Sequence, residues 1–243
     1  MTETAATAAI AREIAPKGRL RVALNHGNVV LVQRGGADGE ARGITVDLAR
    51  ALAGRLGLDV EFVHFPRAGD VTDNAGVDIW DVCFLAVDPQ RAEQIAFSAP
   101  YVVIEGCYLV PDGSTAATAA DVDRLGLRIG AVRGSAYALH LARTAEGAQI
   151  IAFQHFTEAA EALADGSVDG LAGVRQAMEQ HASSTPGYRL LEPPFMEIRQ
   201  AMGVVAGRPN AAEFVRQFID EMRASGRVAE AAKRHGIEGV TLP

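Results

Sequence analysis

WDVCFLAVDPQRAEQIAFSAPY, residues 80–101, is the stretch whose reading decides the fold. It opens as a continuous apolar run and passes through Asp88-Pro89. It then carries one arginine, Arg91, and ends in a second apolar run closed by Pro100. A short apolar run bounded by turn residues reads as a buried strand, here expected over 77–86. Trp80, Val82 and Phe84 share one face of it by period two, and Trp80 is expected in the core.

Upstream, residues 4–14 suit a short amphipathic helix with Ile10 and Ile14 on one side, and LRVAL (20–24) suits a strand. RGGADGE (34–40) reads as a turn. Thr45 is placed to cap a helix over 46–56, with Val46, Ala49, Leu52, Ala53 and Leu56 on one face and Gly57 at its end. DVEFVHF (59–65) alternates like a strand. Downstream, YVVIEGCYLV (101–110) is interrupted only by Glu105-Gly106, and 111–114 is a turn. A second series follows, with strands at 127–132, 149–153 and 168–174 and helices at 136–144, 157–165 and 175–182. Residues 188–192 and 198–205 return to extended structure, and helices over 211–224 and 227–235 finish the chain.

Strands alternating with helices imply an α/β fold of open parallel sheets covered on both faces. The series restarts after residue 113, and the last two helices have no sheet of their own. Two lobes are therefore expected, 1–107 plus 203–243 and 108–202, joined by extended crossings near 105–110 and 199–204. A length of 243 residues suits two such lobes.

Net charge is −7, and no basic run exceeds two residues, which argues against nucleic acid and anionic membrane as partners. Lys17 and Lys233 are the only lysines among 23 basic residues, so an arginine alone is weak evidence of a special site. Cys83 and Cys107 lie among apolar neighbours with no CxxC or metal-ligand spacing, and read as buried small hydrophobes. The amino terminus lacks a basic n-region and a continuous apolar h-region, which reads as no signal peptide, leaving either a cytoplasmic chain or a mature form. GxSxG, phosphate-loop, HExxH and strand-linked GxGxxG motifs are missing, and His26, His64, His140, His155, His181 and His235 are scattered. Neither a cofactor nor a metal is expected.

The order of elements, with the words GRLRVAL (18–24), RGITVDLARALAGRLGLDVEFV (42–63), VDIWDVCFLAVDPQRAEQIAFSAPYV (77–102), GLRIGAVRGSAY (126–137), EALADGSVDGLAG (161–173) and the tail FxxxxRASGRVAEAAKRHG (218–236), resembles the family 3 extracellular solute-binding proteins of bacterial ABC transporters. The resemblance implies a type II periplasmic-binding fold, two lobes closing by hinge motion on a small solute. It also implies a periplasmic monomer that serves an ABC permease. Its carboxylate-clamping arginine, in the pattern RxxxIxFS, is Arg91 in RAEQIAFS, and its Gly-Ser/Thr pair opening a second-lobe helix is Gly134-Ser135. Three features depart from the family. Cys83, Phe84, Leu85 and Ala86 replace a Ser-Ser-Leu-Ser word. Val174 stands where an acid receives an α-ammonium, and Asn28 stands where an aromatic covers the solute.

These departures point from a standard amino acid toward a small organic anion or amino-acid-like carboxylate, because burying an unpaired ammonium is costly. Phe84, Leu85, Ala86 and Tyr137 would line an apolar part of it. Arg91 offers a planar fork suited to a carboxylate, against the plain alternative of a solvated arginine at a helix start. Ser135 is either an anion-binding helix start or an ordinary cap. Asn25 and Asn28 follow the first strand and face the solute or form a turn. Glu105, in an apolar crossing, faces the cleft or pairs with an arginine, with the cleft favoured; Gln200 is a weaker equivalent. Arg133 and Arg175 flank second-lobe strand ends as clamps or surface charges. The competing functions are a dehydratase-like enzyme on the same fold, acting on prephenate- or arogenate-type acids, and a ligand-sensing module.

Overall fold

A computed structural model of the chain describes residues 3–33, 35 and 40–243, so most of the turn expected at 34–40 lies outside the described residues. The chain divides into two compact units, 1–103 with 199–243, and 104–198. The divisions fall four residues before those expected at 107/108 and 202/203. The chain crosses inside two continuous strands, β5 (Val102–Pro111) and β9 (Tyr188–Val205), so no turn marks the change of unit. The two extended stretches expected at 188–192 and 198–205 are this one strand β9.

In the first unit β1 (Leu20–Asn25) lies between β2 (Val60–Phe65) and β3 (Val82–Ala86), parallel to both. The carboxy-terminal part of β9 runs antiparallel to β3, Cys83 opposite Gly203 and Ala86 opposite Gln200. The short β4 (Ile95–Phe97) also pairs antiparallel with β9. The expectation of all-parallel sheets is corrected here. A strand that returns from the other unit arrives from the opposite direction. Helix α2 (Ile44–Leu56) buries Val46, Ala49, Leu52, Ala53 and Leu56 on one side, and Gly57 ends it in the left-handed conformation at φ 65. Its cap is Gly43, at φ 123, and not Thr45, which is buried in the first turn.

Every residue of β3 is buried, which is why its sequence reads as an unbroken apolar run. The strand begins at Val82 rather than at 77, because Asp78 takes a left-handed φ of 56. Lys17 and Arg21 both bond Asp78 there. Arg21, on β1, also makes a bidentate pair with the fully buried Asp81, Nε to Oδ2 at 3.1 Å and Nη2 to Oδ1 at 2.6 Å. The backbone amide of Asp81 donates to the Arg21 carbonyl at 2.8 Å, and the Arg21 amide donates back to the Asp81 carboxylate at 2.9 Å. β1 and β3 are thus fastened at their amino ends. Trp80 is packed in the adjacent core, its indole donating to the Val71 carbonyl at 3.1 Å.

The second unit repeats the plan. β6 (Arg128–Val132) lies between β7 (Gln149–Phe153) and β8 (Gly170–Val174), parallel to both, and β5 is antiparallel to β8. Alternate residues serve opposite faces. Tyr108, Val110 and Ala172 join one cluster with Leu141, while Leu109 and Leu171 join another with Ala159, Leu163 and Met178.

Removing one partner of a buried ion pair strands the other charge. Asp81→Ala is therefore expected to lower the unfolding free energy by about 3–5 kcal/mol, read as a fall in the urea midpoint. A midpoint unchanged from the parent would show that the Arg21 clamp contributes nothing to the first unit.

Candidate functional site

β1 is followed in the chain by β2 on one side of it and by β3 on the other. The connections after β1 and β3 therefore part at their shared carboxyl edge. Such a reversal of strand order is where open α/β sheets hold ligands. In the first unit this edge carries Asn25 to Gln33 after β1 and Val87 to Arg91 after β3.

Asn25 ends β1 and serves the turn, its Oδ1 accepting from the Gly27 amide at 3.0 Å. The carbonyl of Asn28 accepts from the amides of Leu31 at 3.2 Å and Val32 at 3.0 Å. Leu24 lies opposite His64 in the β1–β2 register, which brings His26 beside that ring. Nε2 of His26 and Nδ1 of His64 are 2.7 Å apart, a pairing that spacing in sequence did not suggest. Among the described residues no three metal-ligating side chains come together.

After β3, Asp88 caps a single turn, α4 (Pro89–Ala92), accepting from the Gln90 amide at 2.9 Å. Proline at the first helical position and aspartate before it are what such a start requires. The turn aims Arg91 inward, and the residue is only 1% exposed. Its Nη1 donates to the Ala86 carbonyl at 3.0 Å. Burial lowers the guanidinium to about 10, with the nearby Asp88 charge acting the other way. The same burial pushes the Cys83 thiol up to about 12.

Phe84 and Leu85, expected against a solute, lie within the sheet. Both are buried within β3, Phe84 edge-on to Tyr101 at 5.8 Å, because a strand covered on both faces turns neither side outward. Ala86 contributes its carbonyl. Gln200 is 5% exposed on β9, opposite Ala86.

In the second unit the reversal falls at β6, whose neighbours are β7 and β8. Gly134, at φ 70, makes the left-handed turn that sets Ser135 at the start of α6 (Ala136–Thr144). The Ser135 hydroxyl accepts from the Ala138 amide at 3.1 Å, so it acts as a cap. Tyr137 packs against the cluster around Tyr108, and burial pushes its phenol up. Arg133 is exposed. Val174 ends β8 and precedes α8 (Arg175–Ser184).

Glu105, favoured for the cleft, is instead paired with the Arg175 Nε. Gly106 lies opposite Val174, and continuing that antiparallel register sets Glu105 against Arg175. Glu192, on β9, grips Arg175 with two bonds of 2.8 and 2.9 Å, and the Glu179 carboxylate lies at 3.5 Å. Three carboxylates thus surround one guanidinium. Negative charge stands beside Val174 after all, supplied by neighbours from other elements.

The model of the bacterial extracellular solute-binding proteins, family 3, matches residues 20–238. The chain belongs to this family. Relatives of this solute-binding protein include the ABC transporter glutamine-binding protein of Bacillus subtilis, 24% identical over 203 residues that cover 82% of this chain and 74% of the relative. The glutamate-binding protein of Corynebacterium efficiens is 25% identical over 205 residues, 78% of this chain and 69% of that one. A mutant of ArgBP from T. maritima superimposes with a TM-score of 0.77 at 21% identity, covering 94% of this chain and 100% of the other. The ancestral amino acid-binding protein AncCDT-1, described as a precursor of cyclohexadienyl dehydratase, gives 0.75 at 20% identity, over 92% and 97%. At such identities these likenesses show the fold, which is the type II periplasmic-binding fold.

The partners of Arg175 were not legible from local pattern. Glu105 is 70 residues away in the chain, and Glu192 stands on a strand that reads as a plain extended segment. Arg175 holds the Glu192 carboxyl below its ordinary value of 4.5. A depressed carboxylate stabilises the fold above that value, and the stabilisation is lost as pH falls through the folded-state pKa. In the solute-binding protein Arg175→Gln is expected to return Glu192 to an ordinary carboxylate titration, followed by side-chain NMR. No change on substitution would refute the pairing. Cys83 and Cys107 are both free and buried, and burial pushes their thiols up to about 12 and about 11. Neither is expected to react with a disulfide reagent at mildly alkaline pH until the chain is unfolded. A thiol that titrates in the folded protein would contradict this burial.

Proposed function

We propose that this chain binds a small organic anion or amino-acid-like carboxylate, and that Arg91 receives the carboxylate. The observation that carries this reading is the buried guanidinium at the carboxyl edge of β3, where the strand order of the first unit reverses. Two buried arginines in that unit are treated in opposite ways. Arg21 is gripped by Asp81 and Asp78 and is held above its ordinary value. Arg91 is held below it, because burial outweighs the charges nearby. An incoming carboxylate stabilises the charged form of Arg91 and accepts its fork of donors.

The names of relatives, which bind glutamine or glutamate, support an amino-acid-like solute. The family role supports delivery to an ABC permease from outside the cytoplasmic membrane, by a monomer. Catalysis does not enter this reading. Gly173 and Val174 hold the place that resemblance gives to the general acid of dehydratases on this fold, and neither carries a proton.

Isothermal titration with a panel of amino acids and simple carboxylates tests the proposal. Charge-assisted hydrogen bonds contribute about 1.5–3 kcal/mol, so Arg91→Met is expected to weaken the best-bound acid by roughly 10- to 100-fold. Undiminished affinity in Arg91→Met, or a panel with no binder, would end the reading.

A further inference from the structure

His26 and His64 stand 38 residues apart in the chain and meet at the edge of the first unit's sheet. β2 is the outermost strand there, so side chains at its end are open to solvent. Val63 and Phe65 pack toward the core around Trp80, and His64 between them turns to the other face and is exposed. His26, half-buried, is the first residue after β1, whose Leu24 lies opposite His64. Its backbone amide donates to the Phe65 carbonyl at 2.9 Å. The loops after the two strands touch at Gly27, where an added Cβ would lie 3.1 Å from the Pro66 carbonyl oxygen. The backbone therefore fixes where both imidazoles start. The rings lie 21° from parallel with centroids 5.0 Å apart, and Nε2 of His26 is 2.7 Å from Nδ1 of His64.

A hydrogen bond between side chains this open to water contributes little, because water competes for both nitrogens. The same two nitrogens suit a metal ion, for which imidazole is a good ligand. Bound at about 2.0 Å, two nitrogens stand about 2.8 Å apart when they are about 90° apart on the metal, and about 3.3 Å apart in a tetrahedron. The observed 2.7 Å falls beside the first value, which belongs to tetragonal ions. Binding needs only a swing of the two rings that aims both lone pairs at one point. The hydrogen between the rings passes to the other nitrogen of the ring that carries it, so a neutral pair takes up the ion with no net loss of a proton. Arg67, in the loop after β2, is paired with Asp70 at 3.0 and 2.6 Å, which offsets its charge near the site. Among the described residues no third metal-ligating side chain completes a set, so the other positions on the ion fall to water or a small chelating molecule.

We propose that His26 and His64 form a two-histidine site for a divalent first-row metal of tetragonal preference, copper(II) above all. Strand pairing holds the two ligands close before the ion arrives, so little ordering is left for binding to impose. The site belongs to β1 and β2, whereas Arg91 follows β3, and it stands independently of the carboxylate reading.

Titration of the full chain with copper(II) chloride in a non-coordinating buffer, followed by calorimetry and by electron paramagnetic resonance, tests this. One ion is expected to bind, with two imidazole nitrogens in its equatorial plane and with nickel(II) and zinc(II) bound more weakly. His26→Gln and His64→Gln are each expected to weaken copper(II) about tenfold or more and to leave one imidazole nitrogen in the spectrum. His64→Gln alters an exposed position of an edge strand and is expected to keep the metal-free melting temperature, so it carries the reading should His26→Gln unfold. A parent that binds copper(II) no more tightly than the double variant overturns the proposal. So does a nitrogen count unchanged in His64→Gln, which would place the ion on histidines elsewhere in the chain.

Discussion

Two adjacent parallel strands whose onward connections run to opposite sides leave a parting between loops at their shared carboxyl edge. β1, between β2 and β3, takes part in such a parting in the first unit, and β6, between β7 and β8, in the second. The constraint is geometric, since the loops must part if the helices are to cover both faces. In the first unit it depends on β1 and β3 staying paired. The Arg21–Asp81 clamp fastens that pairing at the opposite edge, with one backbone–backbone bond, one bond from the Arg21 amide to the Asp81 carboxylate, and a bidentate ion pair. The place of Arg91 after β3 depends on this edge.

The buried and half-buried arginines are managed in two ways. Arg21 and Arg175 are each saturated by carboxylates, two for the first and three for the second. Pairing with carboxylates is the ordinary fate of arginine in a chain so rich in it. Arg91 differs in its surroundings. Its guanidinium donates to the Ala86 carbonyl and stands near the charge of Asp88.

Several local readings were right for local reasons. Apolar residues three and four apart mark α2, Gly57 stops it, and Pro89 behind Asp88 starts the turn that holds Arg91. Others failed where a distant partner overrode the pattern. Val77 to Asp81 resemble a strand, but Asp78 is pulled into a left-handed turn by Arg21 and Lys17. Thr45 is a good capping residue, yet Gly43 reaches a backbone conformation that no other residue adopts easily and takes the cap.

The sequence by itself determined the class of fold, the two series of strands and helices, the family, and the arginine and asparagine that follow β3 and β1. These are matters of periodicity, turn chemistry and word order, which neighbouring residues carry. Only the tertiary structure decided that Glu105 answers Arg175, that Glu192 joins them, that His26 meets His64, and that Asn25 rather than Asn28 closes its turn. The contacts of Arg175 and of His26 depend on which strand lies beside which, and in what register, and a shift of one residue in register would turn such side chains to the other face.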